Sequence, residues 1–188
     1  VGSEMCIRDR MTGLANRYRL NAYSEKVLDY CYEHRLPLAM EILDIDFFKQ
    51  YNDNYGHQQG DECIIAIADE LKKMEDRQTF CARYGGDEFI IIYAGISAEE
   101  VHAKAGALRQ NIMNLKLEHL YSNALPIVTI SQGISYGVPE EGNRSWDFLH
   151  TADMLLYQVK KRSRNDICIA DIRGQELDLS SKQEKVEP

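Results

Sequence analysis

The sequence predicts an α/β domain, a mixed central β-sheet flanked by helices. Three observations predict it. Segments of helical period alternate with short apolar runs along nearly the whole chain. Two of those runs, TFCARYG and EFIIIYAG, stand on either side of Gly85-Gly86 and read as a hairpin, so part of the sheet is antiparallel. The chain has 188 residues with 44% hydrophobic and 28% charged content, enough for one sizeable core and too few for two comfortable ones.

The elements follow in order. NRYRLNAYSEKVLDYCYEHRL spaces Leu20, Tyr23, Val27, Leu28 and Cys31 as one helical face, and Pro37 ends that helix. LAMEILDID reads as a buried strand. FFKQYNDNYG is a short helix or turn stopped by Asn54 and Gly56, and DECIIAIADELKKM is an amphipathic helix. The hairpin comes next. Ser97 with Glu100 three residues on is a capping box, opening a helix that runs to about His119. PIVTISQGISYG is a strand interrupted by glycine, SWDFLHTADMLLYQVKKRSR a helix, and DICIADI a last strand. No repeat and no interdomain linker stands out. Residues 1–8 fit nothing that follows and read as a foreign remnant or a truncated linker. The domain spans 9–171, and the polar tail 172–188 is expected to be disordered.

Composition narrows the partners. A formal net charge of -8 argues against a nucleic-acid or anionic-membrane surface, but leaves room for a small anionic ligand neutralised locally. No apolar run approaches the roughly 18 residues of a membrane span. The five cysteines, Cys6, Cys31, Cys63, Cys81 and Cys168, are widely spaced and form no C-x-x-C, so they read as reduced thiols of a cytoplasmic protein.

The acids carry the chemistry. Asp44 and Asp46 are two apart, so on a strand they share a face. Asp87 and Glu88 follow the hairpin glycines. If strand end and hairpin tip meet, several carboxylates crowd together and raise one another's pKa. A divalent cation relieves that repulsion, and an all-oxygen site suits Mg²⁺ or Mn²⁺. Taken singly, Asp46 also reads as a cap for the next helix, and Asp87 and Glu88 as solvated turn residues. Lys160 and Arg164, four apart near a helix end, read either as complements to the helix dipole or as phosphate ligands.

Five stretches in order, DRMTGLANR, DIDFFKQYNDNYGHQQGDE, RYGGDEF, VTISQGIS and ADMLLYQVKKRSRN, resemble the successive motifs of the GGDEF family, the diguanylate cyclases. The resemblance implies a fold similar to the palm of class III nucleotidyl cyclases, with a ferredoxin-like core. It implies a reaction in which two GTP become cyclic di-GMP and two pyrophosphates. It implies that Asp44, the Ile45 carbonyl and Asp87 hold Mg²⁺ or Mn²⁺, and that Asp87 and Glu88 are the catalytic acids. Asn52, His57 and Asp61 match the family's substrate-binding positions. Phe47, Phe48 and Lys49 would line the β- and γ-phosphates through their backbone, Gly85 and Gly86 would let the chain approach the ligand, and Lys160 and Arg164 would hold phosphate. His57 alone also reads as a turn residue.

Turnover by such a domain implies a homodimer of two GTP-loaded copies, and an upstream sensory domain is expected in the parent protein. A domain of this kind that binds GTP or cyclic di-GMP without turnover is the alternative. Two departures from the family pattern stand out: Ser163 where glycine is frequent, and Gln132 where a small or β-branched apolar residue is commoner.

Overall fold

The structure, a computed structural model, describes residues 7–179. The elements appear in the expected order: α1 (Arg17–His34), β1 (Leu38–Ile45), α2 (Phe48–Tyr55), α3 (His57–Lys72), β2 (Thr79–Gly85), β3 (Glu88–Ala94), α4 (Ala98–Asn114), β4 (Ile130–Gly137), α5 (Ser145–Arg162) and β5 (Ile167–Ala170). The five strands form one mixed sheet in the order β2-β3-β1-β4-β5. All neighbours are antiparallel except β4 and β5.

β1 lies at the centre and is buried at every position, which is why its sequence is an almost unbroken apolar run. Strand alternation sends Leu38, Met40 and Ile42 to one side, where they meet Leu20 and Leu28 of α1 and Phe148 and Leu156 of α5. Ala39, Leu43 and Ile45 point the other way, onto Ile64, Ile67 and Leu71 of α3 and Val101 and Leu108 of α4. The result is a helix–sheet–helix sandwich with a core on each face of the sheet. The glycine within β4 has a steric reason. A Cβ on Gly133 would lie 2.3 Å from both the Ala152 carbonyl oxygen and the Leu156 nitrogen, so α5 rests backbone to backbone on β4.

Gln132 is likewise explained. It is buried, and its Nε2 donates to Oε1 of Glu41 at 2.6 Å and to the Ala105 carbonyl at 3.1 Å. Tyr93 donates its hydroxyl to the other Glu41 oxygen at 2.6 Å. A polar triad thus sits inside the α3/α4 core. Burial pushes the Glu41 carboxyl up to about 7, against the two hydrogen bonds, which pull it down.

Three expectations are corrected. α4 stops at Asn114, not near His119. Leu115 prolongs the helical spacing of Leu108 and Ile112, but Lys116 turns left-handed at φ 51, and the chain leaves for a separate excursion closed by a Glu118↔Ile127 bridge. β4 accordingly starts at Ile130, not Pro126. The chain also stays ordered past Arg173. Leu177 donates its N–H to the Ile169 carbonyl at 3.1 Å and packs on the core, and the remainder of the expected tail, 180–188, lies outside the described residues. At the other end Arg8, set aside by the sequence reading, pairs with Ala15.

Candidate active site

The site forms where β1 ends. There the β2–β3 hairpin brings Glu88 opposite Asp44 in the strand register, and the last turn of α5 arrives from the side. Gly86, at φ 52, makes the turn that carries Asp87. Arg83 holds the turn: its Nε and Nη2 donate to the Gly86 carbonyl at 3.1 and 2.9 Å, and its Nη1 lies 3.3 Å from Asp9. Asp9 in turn accepts from the Thr12 N–H and hydroxyl at 2.9 and 2.7 Å. The N-terminal motif DRMTGLANR is therefore a bracket behind the hairpin. Burial pushes the Asp9 carboxyl up, but the bonds from Thr12 and Arg83 outweigh it and leave it below its usual value.

Asp44 is 5% exposed. Its Oδ2 is ion-paired with Lys160 Nζ, and its Oδ1 is buried with no hydrogen-bond partner. Burial pushes its carboxyl up to about 7, Lys160 pulls it down, and Asp87 and Asp46 push it further up. Burial also raises Asp87, against its own backbone N–H, Lys160 and Arg83, and burial with the Asp87 charge raises Glu88. Neither is a fully solvated turn residue; both are half-buried.

The residues present fit a hard divalent cation. Asp44 has an orphaned carboxylate oxygen and feels the charge of Asp87, every donor is oxygen, and Ile45, whose side chain is in the core, has its backbone at the strand end. Among the described residues no three or more His, Cys, Asp and Glu side chains form a metal-holding group. The expected set needs just two carboxylates and a carbonyl.

Asp46 behaves differently from Asp44. It lies beyond the end of β1, fully buried, and accepts from Thr129 Oγ1 at 2.8 Å, Ser131 Oγ at 2.6 Å and the Asn165 N–H at 2.9 Å. Arg164 Nη1 stands 3.8 Å away. It does not cap α2, whose N-cap is Phe47 with no side-chain bond. Instead it ties the ends of β1, β4 and α5 together.

Phe47 is left-handed at φ 54, and its ring lies under the Arg164 guanidinium at 4.2 Å. The first N–H groups of α2 thus have no side-chain acceptor, the arrangement that binds anions. Phe48 packs on the core and Lys49 is exposed. Lys160 and Arg164 both reach the site, but not from one helical face. α5 ends at Arg162, and the left-handed residues are Arg164 and Asn165, while Ser163 sits at φ −146. Serine therefore costs nothing special there.

Asn52, His57 and Asp61 flank the α2–α3 corner. His57 and Asp61 are one turn apart at the start of α3, both exposed. Asn52 lies against Gly60, whose added Cβ would sit 1.8 Å from Asn52 Oδ1, and that oxygen is buried without a partner. Sequence reasoning missed three residues that shape the site: Asp9, Arg83 and His119. His119, expected on a helix, is in the 115–129 excursion, fully buried, with Nε2 3.0 Å from the Phe47 carbonyl oxygen. No helix among the described residues is long and apolar enough to cross a membrane.

Comparison with known proteins agrees with this geometry. The family described as "Diguanylate cyclase, GGDEF domain" matches residues 6–166. The chain is 35% identical over 164 residues to "Probable diguanylate cyclase DgcC" of Escherichia coli K12, covering 86% of this chain and 42% of DgcC. It is 33% identical over 168 residues to "Diguanylate cyclase DgcP" of Pseudomonas aeruginosa, covering 89% of this chain and 24% of DgcP. It thus spans less than half the length of these relatives. Among solved structures, the GGDEF domain of DgcB from Caulobacter crescentus, in complex with c-di-GMP, superposes with a TM-score of 0.80 at 29% identity, covering 90% of this chain and 95% of that one. The active GGEEF domain of a diguanylate cyclase from Vibrio cholerae superposes at 0.71 with 30% identity, covering 83% and 97%. With the bracketed hairpin, the paired acids and the mixed sheet all in place, the chain belongs to the GGDEF family of diguanylate cyclase domains.

Proposed function

We propose that this domain condenses two GTP into cyclic di-GMP and two pyrophosphates. The carrying observation is the buried, unpartnered Oδ1 of Asp44 beside the half-buried Asp87. Asp44, the Ile45 carbonyl and Asp87 would hold a divalent cation, Mg²⁺ or Mn²⁺, which when bound would neutralise phosphate charge and lower the pKa of the attacking 3′-hydroxyl. Asp87, supported by Glu88, accepts the hydroxyl proton. The open N-terminus of α2 at Phe47, Phe48 and Lys49 receives the β- and γ-phosphates, with Lys160 and Arg164 closing over them. Gly85 and Gly86 let the hairpin backbone approach the nucleotide.

Guanine is read at the α2–α3 corner. Its N1–H and N2–H₂ form a donor pair that the Asp61 carboxylate accepts, with Asn52 and His57 alongside; adenine offers no such pair. Each domain holds one GTP, so turnover takes a two-fold dimer in which each 3′-hydroxyl meets the partner's α-phosphate. A cytoplasmic setting suits GTP and the buried free thiols Cys31, Cys63, Cys81 and Cys168.

The test is incubation with Mg²⁺ and GTP or ATP, with products identified by mass. Cyclic di-GMP from GTP alone is expected, and Asp87→Asn lowers its formation by about a hundredfold or more. GTP binding without any product would make the domain a receptor instead.

A further inference from the structure

We propose that His119 is a positioning residue for the nucleotide phosphates, acting through the left-handed turn at Phe47. The proposal rests on the reading of that turn and the N-terminus of α2 as the phosphate cradle.

The turn is an unfavourable one. A phenylalanine at φ 54 has its Cβ crowded against its own carbonyl, and such a residue persists where its surroundings hold it. Here two groups share the Phe47 carbonyl oxygen: the Tyr51 N–H, closing the first turn of α2, and His119 Nε2, each at 3.0 Å. A carbonyl oxygen accepts and never donates, so Nε2 carries the hydrogen and Nδ1 is left as a bare lone pair. That Nδ1 is buried and has no partner. An imidazole serving as core filler alone would be replaced without loss by an apolar ring, whereas this one leaves a polar atom unsatisfied and still aims its single donor at Phe47.

The ring is held in that aim. Tyr51 and Tyr55 meet it edge-on, with centroids at 5.1 and 6.3 Å and interplanar angles of 88° and 76°. The backbone on either side is pinned as well. The His119 N–H donates to the Pro126 carbonyl at 3.0 Å, the Val128 N–H to the Leu117 carbonyl at 2.8 Å, and the Leu120 N–H to the Tyr55 hydroxyl at 3.0 Å. The same excursion ends at Thr129, whose carbonyl and hydroxyl both bind Asp46. Asp46 and Phe47, consecutive residues between the metal-binding strand end and α2, are therefore clamped from one direction by one segment. His119 sets the direction in which the first N–H groups of α2 point.

The experiment uses His119→Phe, which keeps a ring between Tyr51 and Tyr55 and removes the donor, and His119→Gln, whose Nε2–H reaches the same carbonyl. Two readouts are taken: hydrogen exchange at the Tyr51 amide without nucleotide, and binding of GTP and of guanosine in Mg²⁺. In His119→Phe, Tyr51 exchange rises about tenfold while β1 and β3 amides keep their rates. GTP binding weakens about tenfold and guanosine binding stays within twofold, because the loss lies at the phosphates. His119→Gln stays within about threefold of the parent in both. Should His119→Phe fail to fold, His119→Asn, whose amide stops short of Phe47, takes its place with the same expectations. Unchanged exchange and GTP binding in the donor-less variant, or a His119→Gln as impaired as His119→Phe, overturns the proposal. If the parent chain binds no GTP, the nucleotide reading of the site fails on its own, and the Tyr51 exchange still decides whether His119 holds the turn.

Discussion

Lys160 Nζ pairs with Oδ2 of Asp44, joining the last turn of α5 to the end of the central strand, while the other Asp44 oxygen stays buried without a partner. In the absence of a cation ligand, that lysine carries much of the compensation for a carboxylate in a dry position. Lys160→Met should therefore destabilise the protein in chelator by about 2 kcal/mol, discounted for the lysine's partial exposure. Added Mg²⁺ or Mn²⁺ should raise the melting temperature of the variant more than that of the parent, because the metal replaces the missing positive charge. Equal metal-induced shifts in both would place the metal away from Asp44.

Gly60 keeps space for Asn52. Gly60→Ala puts a methyl group onto the Asn52 amide and should weaken GTP binding about as much as Asn52→Ala does, on the order of tenfold. The double variant should lose little more than either single one, since both act through one contact. Alanine in a helix is favoured over glycine by about 1 kcal/mol, so thermal stability need not fall with affinity. Titration of GTP into the three variants checks this.

Glu41 links stability to pH. Burial raises its folded-state carboxyl to about 7 from an ordinary value of 4.5, so the folded chain binds the proton more tightly than the unfolded one. The stability it contributes is fully present below pH 4.5 and is lost as the pH climbs through 7. Glu41→Gln keeps an oxygen to accept from Gln132 and has no proton to lose, while its amide donates to the Tyr93 hydroxyl, reversing the bond that Tyr93 makes to the carboxylate. Its advantage over the parent should grow by on the order of 2 kcal/mol between pH 5 and pH 8. Denaturant melts at the two pH values read this directly; an advantage that shrinks with pH reverses the sign.

Two-domain turnover predicts a dependence on concentration. Specific activity should rise with protein concentration and level off as dimers saturate. Constant specific activity over a hundredfold dilution, with a monomer by sedimentation throughout, would show that one domain suffices.

Much of this was legible in the sequence for a definite reason. The order of elements follows from apolar period, and β1 was recognisable because a strand buried on both faces has no alternation to hide. The end of α4 was not legible, because Lys116 turns left-handed without glycine or proline to announce it, while Leu115 and His119 continue the helical rhythm of Leu108 and Ile112. The acids were legible as a motif, but the opposite surroundings of Asp44 and Asp46 were not. Both lie at one strand end, and what separates them is donors 83 to 119 residues away. Glu41 and Gln132 left a faint signal: two long polar side chains within buried central strands, oddities until seen facing each other.

The ties made by Asp46 also have a consequence in time. Its partners Thr129, Ser131 and Asn165 close loops of 83, 85 and 119 residues. Closures over such separations are entropically unfavourable until the intervening elements have formed, so they come last in folding. The pairing of β1 with β4, from Ile45↔Ile130 to Leu38↔Gly137, closes loops just as long, so the centre of the sheet and the corner that places Phe47, Arg164 and the end of β1 together close in one late step, after the helices and the β2–β3 hairpin. The newly made chain gains its pocket together with the centre of its sheet, so nucleotide affinity should return on refolding in step with the β1–β4 pairing and behind the recovery of helix.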